Sequence, residues 1–349
     1  MDPSRLSTIA QVSMVPKNSE MNFITDVVSY NHYFGWYVGK MEKNEVWLDD
    51  FHATYPDISL GLSEYGAEGI ITYHNDNPQV KDYSEDYQAL YHEHMARIID
   101  ERPWLWATHV WNMFDFGCDA RDEGGVKGRN NKGLITFDRK IRKDSFYAYK
   151  AFWSKEAFVH VCGHRYSMRT GNTTTIKVYS NQPEVSLYVN GELFDTKAES
   201  RIFIFENVPL NDEFTMISAN SGDLNDSMTI QKVNEPNPVY VLIEDEDEGE
   251  GVANWFNIDD YKDAKTIDIK EGYFSIKDTM GDVLENDEAC KEFIQALGVM
   301  SGMKLKKSML GIMKDAPIEK MAVMMGSDSE EDANKMLIVL NEVLNKIKK

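Results

Sequence analysis

Short apolar runs alternate with helix-like stretches over the first 155 residues, and this alternation constrains the fold more than any other feature. The apolar runs that predict strands are residues 8–12, 26–30, 58–63 and 108–114. The stretches that predict helices are residues 40–54, 85–101 and 143–153. Strands that alternate with helices pair in parallel through βαβ units. Four such strands are half of an eight-stranded α/β barrel.

Polar and aromatic residues follow the ends of these predicted strands. Glu64 ends the third strand, and α/β barrels keep their chemistry at such carboxyl ends. Tyr33, after the second strand, can donate a hydrogen bond to a carboxylate and keep it ionised. Trp111 can form a platform for a sugar ring, and Asn31 can bind hydroxyl groups. A single Trp or Tyr is more often a core residue, so the prediction depends on all four occurring together.

Three segments at these strand ends carry a family resemblance. They are Tyr-Asn-His-Tyr-Phe-Gly-Trp-Tyr at 30–37, Ser-Glu-Tyr-Gly at 63–66 and Trp-Asn-Met-Phe-Asp-Phe at 111–116. They resemble glycoside hydrolase family 2, which contains β-galactosidases and β-glucuronidases. Residues 121–125 and 131–140 resemble the loop after the last barrel strand in bacterial, clostridial-type β-galactosidases of that family. The resemblance covers residues 3–155 and implies strands five to eight of a TIM barrel.

The resemblance implies a retaining glycoside hydrolase with two carboxylates, one a nucleophile and the other a general acid/base. By this resemblance Glu64 is the nucleophile, which attacks the anomeric carbon and forms a glycosyl-enzyme ester. Tyr33 would donate a hydrogen bond to Glu64, and Trp111 would line the sugar subsite. Asn31 and Tyr37 are further candidates for contact with the substrate.

The general acid/base has no counterpart in the sequence. In the family it lies in an Asn-Glu pair at the end of barrel strand four. The Asn-Glu pairs of this chain, at 44–45, 234–235 and 341–342, fall in a predicted helix, a linker and a terminal helix. We therefore expect the chain to be the carboxy-terminal portion of a longer enzyme. The alternative is a non-catalytic sugar-binding or interaction fragment. The predicted protein partners are a second copy of the chain, in a homo-oligomer, or a separate chain that supplies the amino-terminal barrel half.

Asn130 and Lys132 bear on the choice of substrate. With Asn131 they match the Asn-any-Lys pattern by which β-glucuronidases of the family hold the substrate carboxylate, and a lysine suits such an anion. The surrounding residues, 119–132, resemble galactosidases more closely. The sequence therefore favours a β-galactosidase acting on terminal β-D-galactosides, with β-glucuronidase as the alternative. Family members use Mg²⁺ or Na⁺, but no metal ligand or other cofactor is assigned to residues of this chain.

Beyond residue 155 the pattern predicts an all-β domain and then an α-helical one. Short alternating strands and an Asn190-Gly191 hairpin signal predict an immunoglobulin-like β-sandwich over 156–234. Residues 235–251 form an acidic linker. Residues 252–349 form a Met-rich helical domain, with a packing role favoured over a docking role. The predicted helices of that domain are residues 273–284, 289–297, 308–313, 318–325 and 331–347.

Charge and cysteine content limit the partners and the compartment. The net charge is −21, which argues against binding to nucleic acid or to an anionic membrane. No apolar segment is long enough to span a bilayer, and the first residues do not form a charged-then-apolar leader. Cys118, Cys162 and Cys290 are odd in number and lack metal-ligand spacing, as is typical of reduced thiols. We expect a cytoplasmic protein.

Overall fold

The computed structural model describes residues 4–13, 15–37, 39–242, 267–301, 307–310, 314, 316–320 and 330–349. Contacts divide the chain into two units. The first unit is Met1–Ala10, Asp26–His32 and Leu48–Ile243. The second unit is Gln11–Thr25, Tyr33–Trp47 and Glu244–Lys349. Three predicted elements lie partly outside the described residues. They are the linker 235–251 from residue 243 onward, the helix 308–313 from residue 311 onward and the helix 318–325 from residue 321 onward.

A four-stranded sheet contains the strands that the alternating pattern predicted. Its order is β1 (Thr8–Val12), β2 (Val27–Asn31), β3 (Leu60–Tyr65) and β4 (Thr108–Val110). Strands β2 and β3 pair in parallel, and so do β3 and β4. Most residues of β2 and β3 are buried, as in strands covered on both faces. Parallel strands and intervening helices are consistent with part of an α/β barrel.

Three helices accompany these strands. They are α1 (Lys43–Thr54), α2 (Glu85–Asp100) and α3 (Asp144–Trp153). Helix α2 begins at Ser84, whose hydroxyl accepts a hydrogen bond from the Tyr87 backbone at 3.0 Å, and Glu85 and Asp86 favour its first turn. Its buried face packs against α3.

An antiparallel hairpin follows β4, where the sequence predicted only a loop. Strands β5 (Phe116–Glu123) and β6 (Val126–Asn130) are joined by Gly124 and Gly125. Both glycines have positive φ, 67° and 71°, as a two-residue hairpin turn of this kind requires. The Gly-Gly pair is itself a hairpin signal, so the turn was predictable from the sequence. The hairpin matters because its last residue is Asn130.

Two facing sheets form the predicted β-sandwich. Their strands are β7 (Val159–Val161), β8 (Met168–Arg169), β9 (Thr173–Ser180), β10 (Glu184–Val189), β11 (Glu192–Ala198), β12 (Ile202–Pro209), β13 (Phe214–Ser221) and β14 (Leu224–Lys232). One sheet has the order β11-β10-β13-β14-β8 and the other β12-β9-β7. Residues such as Val178, Phe205 and Ile217 fill the space between them. Asn190 and Gly191 form the predicted turn, with φ of 51° and 87°.

The carboxy-terminal part of the second unit is helical, as predicted. Its helices include α4 (Met280–Glu285), α5 (Asp287–Ser301), α6 (Lys307–Leu310) and α7 (Glu330–Leu344). The predicted helix from residue 273 begins only at Met280, because Thr279 and Asp282 form a capping box there. Phe293, Leu340 and Leu344 lie in its core. Among the described helices, none combines the length and the apolar character that crossing a membrane requires.

Candidate active site

Glu64 lies near the carboxyl end of β3, directly across from Asn31 at the end of β2. The His32 backbone donates a hydrogen bond to the Glu64 carbonyl at 2.8 Å. The pairing register shifts between Tyr30 and Asn31, because Tyr30 pairs with Leu62 and Asn31 with Glu64, so β3 bulges at Ser63. Bulges re-aim side chains at sheet edges. The Ser63 hydroxyl donates to the Asn31 side-chain oxygen at 2.7 Å. Glu64 and Asn31 are therefore brought together, and both are half-buried.

Trp111 adjoins the same edge because β4 runs beside β3. Its backbone nitrogen donates a hydrogen bond to the Tyr65 carbonyl at 2.9 Å, one residue beyond Glu64. A Cβ at Gly66 would lie 2.2 Å from the Trp111 carbonyl oxygen, so this approach requires glycine. The half-buried Trp111 ring contacts Phe116 edge-on at 5.9 Å. The peptide bond between Trp111 and Asn112 is cis.

The end of β6 and the segment after it bring Asn130 and Lys132 beside the residues that follow β4, which include Trp111. The Lys132 carbonyl accepts a hydrogen bond from the Asn112 backbone at 3.1 Å. The Asn130 side-chain oxygen accepts one from the Lys132 backbone at 3.0 Å. The Lys132 ammonium does not reach solvent: its side chain is 1% exposed, and Nζ lies 2.8 Å from Glu68 Oε1. A buried ammonium needs such a partner.

Two buried ion pairs support these strand ends, and neither was predicted from the sequence. In the first, Glu68 contacts Lys132 and, at 3.2 Å, Arg121. Burial alone would raise the pKa of Glu68, but Lys132 and then Arg121 lower it below its ordinary value. Glu68 therefore stays ionised. The only sequence signal for Glu68 was its position four residues after Glu64, which placed it near the same strand end.

The second ion pair joins Lys143, at the start of α3, to Asp115. The Lys143 ammonium donates to Asp115 Oδ1 at 2.8 Å, to the Gly69 carbonyl at 2.6 Å and to the Asn131 carbonyl at 3.0 Å. All three of its protons are therefore used. Burial lowers the pKa of Lys143 and raises that of Asp115, so each depends on the other for its charge.

A buried histidine lies beneath the end of β3. His92 Nδ1 is 2.8 Å from the Tyr149 hydroxyl, and the His92 ring lies 6.4 Å from that of Tyr65. Burial, with a further contribution from Lys143, lowers the pKa of His92 to about 3. His92 is consequently neutral near pH 7 and is not a proton donor there.

Tyr33 and Tyr37 lie in the second unit, in the turn that follows β2. Their rings are 5.1 Å apart, and the Tyr37 backbone donates to the Tyr33 carbonyl at 3.0 Å. The two tyrosines are thus held together and half-buried. Their predicted contacts with the nucleophile and the substrate stay predictions.

An open cleft of about 440 Å³ adjoins Trp111. Its lining residues are Asn112, Met113, Phe114, Asp115, Phe116, Phe137 and Arg139. Glu64 is not among them. Phe137, 50% exposed, and Arg139, whose guanidinium lies over Phe114 at 4.6 Å, give the cleft aromatic and cationic surface next to the strand ends.

Comparison with known proteins relates the chain to glycosidases. No family model matches it. The chain is 40% identical over 196 residues to a β-glucuronidase of Bacteroides fragilis, an overlap of 54% of this chain and 28% of that protein. An FMN-binding β-glucuronidase from Faecalibacterium prausnitzii L2-6 is 58% identical, with a TM-score of 0.68 over 69% of this chain and 38% of the other. A protein provisionally named β-galactosidase from Bacteroides fragilis is 32% identical, with a TM-score of 0.63 over 68% and 37%.

These homologues are glycosidases of the glycoside hydrolase 2 type, as the resemblance predicted. The chain spans only between about a quarter and two-fifths of their length. The more similar relatives are named β-glucuronidases. The comparisons therefore support the alternative substrate, a glucuronide, better than the galactoside that the sequence favoured.

Proposed function

We propose that the chain is part of a retaining β-glucuronidase and that Glu64 is its nucleophile. The observation that carries the proposal is the meeting of Glu64, Asn31 and Trp111 at the carboxyl ends of β2, β3 and β4, in a chain similar to β-glucuronidases. The Glu64 carboxylate attacks the anomeric carbon and forms an ester as the aglycone leaves. Water then cleaves the ester and releases glucuronate.

Asn130 and Lys132 recognise the carboxylate of the sugar in this proposal. Lys132 is buried and paired with Glu68, so binding requires its side chain to become accessible and its ammonium to be shared with a second carboxylate. Arg121 also contacts Glu68, at 3.2 Å, and keeps that buried acid paired while Lys132 engages the substrate. A galactoside offers a neutral hydroxymethyl group at the same place and gains nothing from a charge-assisted hydrogen bond.

The general acid/base of the reaction is assigned to a barrel segment outside this sequence. Positioned proton transfer contributes about 10²–10⁴-fold to such reactions. Substrates with poor leaving groups therefore depend on that segment. Substrates that leave as a stable anion, such as dinitrophenyl glycosides, need no protonation and test Glu64 alone.

The test compares hydrolysis of dinitrophenyl β-D-glucuronide and dinitrophenyl β-D-galactoside by the protein. Glu64→Gln should lower the rate by about 10³-fold or more, as removal of a nucleophile does. Glu206→Gln, a matched change at an exposed glutamate of the sandwich, should leave the rate unchanged.

The second candidate function, β-galactosidase, is favoured by the 32% identity to the provisionally named galactosidase. Preference for the galactoside in this comparison would replace the first proposal with the second. Equal activity of Glu64→Gln and the unmodified protein would contradict both.

A further inference from the structure

His160, His164 and Asp226 bring three metal-binding atoms together where β7 and β14 meet. One nitrogen of each histidine and one carboxylate oxygen lie within 4.8 Å of one another. His164 Nε2 is 2.9 Å from Asp226 Oδ2, and His160 Nδ1 is 3.5 Å from the same oxygen. The Val161 backbone also donates to that oxygen, at 2.7 Å, which holds the carboxylate in place. The cluster lies in the sandwich, apart from the strand ends that carry Glu64.

A second carboxylate orients the buried histidine of this cluster. His160 Nε2 lies 2.9 Å from Asp144 Oδ1, and its ring stacks on Tyr147 at 3.6 Å. When Nε2–H donates to Asp144, the neutral imidazole presents the lone pair of Nδ1 toward Asp226. Carboxylate–histidine pairs of this kind fix the tautomer of metal-binding histidines. Without a metal, His164 Nε2–H can donate to Asp226 Oδ2 at 2.9 Å. When a cation displaces that proton, two imidazole lone pairs and a carboxylate oxygen converge on the cation.

We propose that His160, His164 and Asp226 bind a divalent transition-metal ion, with Zn²⁺ as the first candidate, and that Asp144 is a positioning residue. Zn²⁺ binds imidazole nitrogen and carboxylate oxygen at about 2.0–2.2 Å in a tetrahedron, which sets ligand atoms about 3.3 Å apart. The separations of 2.9 Å and 3.5 Å lie on either side of that value. Two imidazoles and one carboxylate suit Zn²⁺ better than Mg²⁺ or Ca²⁺, which prefer oxygen ligands.

Because the cluster is partly exposed, an ion can enter it from solvent and a water molecule can serve as the fourth ligand. The side chains of His164 and Asp226 are 31% and 25% exposed, whereas that of His160 is 10% exposed. Water can therefore reach the side formed by His164 and Asp226. The bound ion would tie β7 and the turn after it to β14, and Asp144 would connect the site to α3. The expected role is stabilisation of the sandwich.

The test is metal binding by the full chain after removal of metals with a chelator. Zn²⁺ should bind with a stoichiometry of one and raise the unfolding temperature. Co²⁺ should give the visible absorption of a tetrahedral site. His164→Gln and Asp226→Asn should each weaken binding by about 10-fold or more, and Asp144→Asn by about 10–100-fold, as loss of an orienting partner does.

Exposed His109 provides the matched control, because His109→Gln removes an imidazole elsewhere in the first unit and should leave the metal affinity unchanged. Because His164 is partly exposed, His164→Gln should fold, which its far-ultraviolet circular dichroism checks. Absence of stoichiometric binding would overturn the proposal. So would unchanged affinity in His164→Gln and Asp226→Asn, or an unfolding temperature that responds to pH but not to Zn²⁺. None of these outcomes depends on glycosidase activity.

Discussion

The absence of a side chain at Gly66 lets the Trp111 backbone approach closely, and Gly66→Ala tests this contact by adding one methyl group. In Gly66→Ala the new Cβ would meet the Trp111 carbonyl oxygen at 2.2 Å, so the two backbones must separate. We expect a loss of about 1–3 kcal/mol in the free energy of unfolding, as overpacking causes, together with a change in tryptophan fluorescence. Urea unfolding measures the first quantity. Gly117→Ala is the control, because nothing lies within 4 Å of its Cβ. Equal losses in the two variants would contradict the account.

Lys132 also stabilises the fold through its ion pair with Glu68, besides its proposed contact with substrate. Lys132→Met leaves the fully buried Glu68 without its nearest cation and should cost about 3–5 kcal/mol in the free energy of unfolding. Adding Glu68→Gln removes the buried charge, so the double variant should be more stable than Lys132→Met. A double-mutant cycle in urea measures this coupling. Additive losses would show that the two side chains do not interact.

At the scale of elements, α2 makes stability depend on pH through His92. Its pKa is about 3 in the folded chain, whereas it is near 6.5 when unfolded. Below about pH 6.5 the unfolded chain binds the proton more tightly, so stability is lost as the pH falls toward 3. The loss from this group should be about 3 kcal/mol between pH 7 and pH 4. His92→Gln should flatten the pH dependence of the unfolding midpoint over that range. An unchanged slope would contradict the assignment.

The elements that the sequence predicted well are those whose signal is local. Strand β1 was predicted at its observed bounds, and α2 and α3 to within one residue at their ends. Strand β4 is shorter than predicted because the chain beyond Val110 leaves the sheet toward Lys132. The β5–β6 hairpin was missed because the family resemblance favoured a loop over the local Gly-Gly signal. The resemblance therefore outweighed a local backbone signal that was correct.

The site itself was only partly predictable. Glu64, Asn31 and Trp111 meet as expected, since parallel strands end at one edge. The partner of Lys132 was not predictable, because Glu68 lies 64 positions earlier in the sequence and nothing local connects them. The contact between His160 and Asp226 was not predictable for the same reason, since the two residues are also far apart in the sequence. Contacts between distant charged residues depend on packing, which the spacing of residues along the chain does not encode.

At the scale of the whole molecule, we expect the nucleophile and the general acid/base to lie in different parts of a larger enzyme. Among the described residues, β1 and β4 are the outer strands of the four-stranded sheet. Outer strands present unpaired backbone groups that favour pairing with further strands. We expect that a polypeptide carrying the remaining barrel strands binds this chain and raises its activity on nitrophenyl glucuronide by about 10²-fold or more. Size-exclusion chromatography and an activity titration measure the two effects. Binding without a gain in rate would place the general acid elsewhere.

The central claim is that Glu64 is the nucleophile of a glucuronidase, and covalent trapping tests it most directly. A dinitrophenyl fluoroglucuronide needs no general acid for departure of its leaving group, and its fluorine slows hydrolysis of the ester. We predict release of one equivalent of dinitrophenolate and, by mass spectrometry, a fluoroglucuronosyl group on the peptide that contains Glu64. Glu64→Gln and the corresponding fluorogalactoside should give neither. Labelling at another residue, labelling by the galactoside alone, or no labelling at all would contradict the claim.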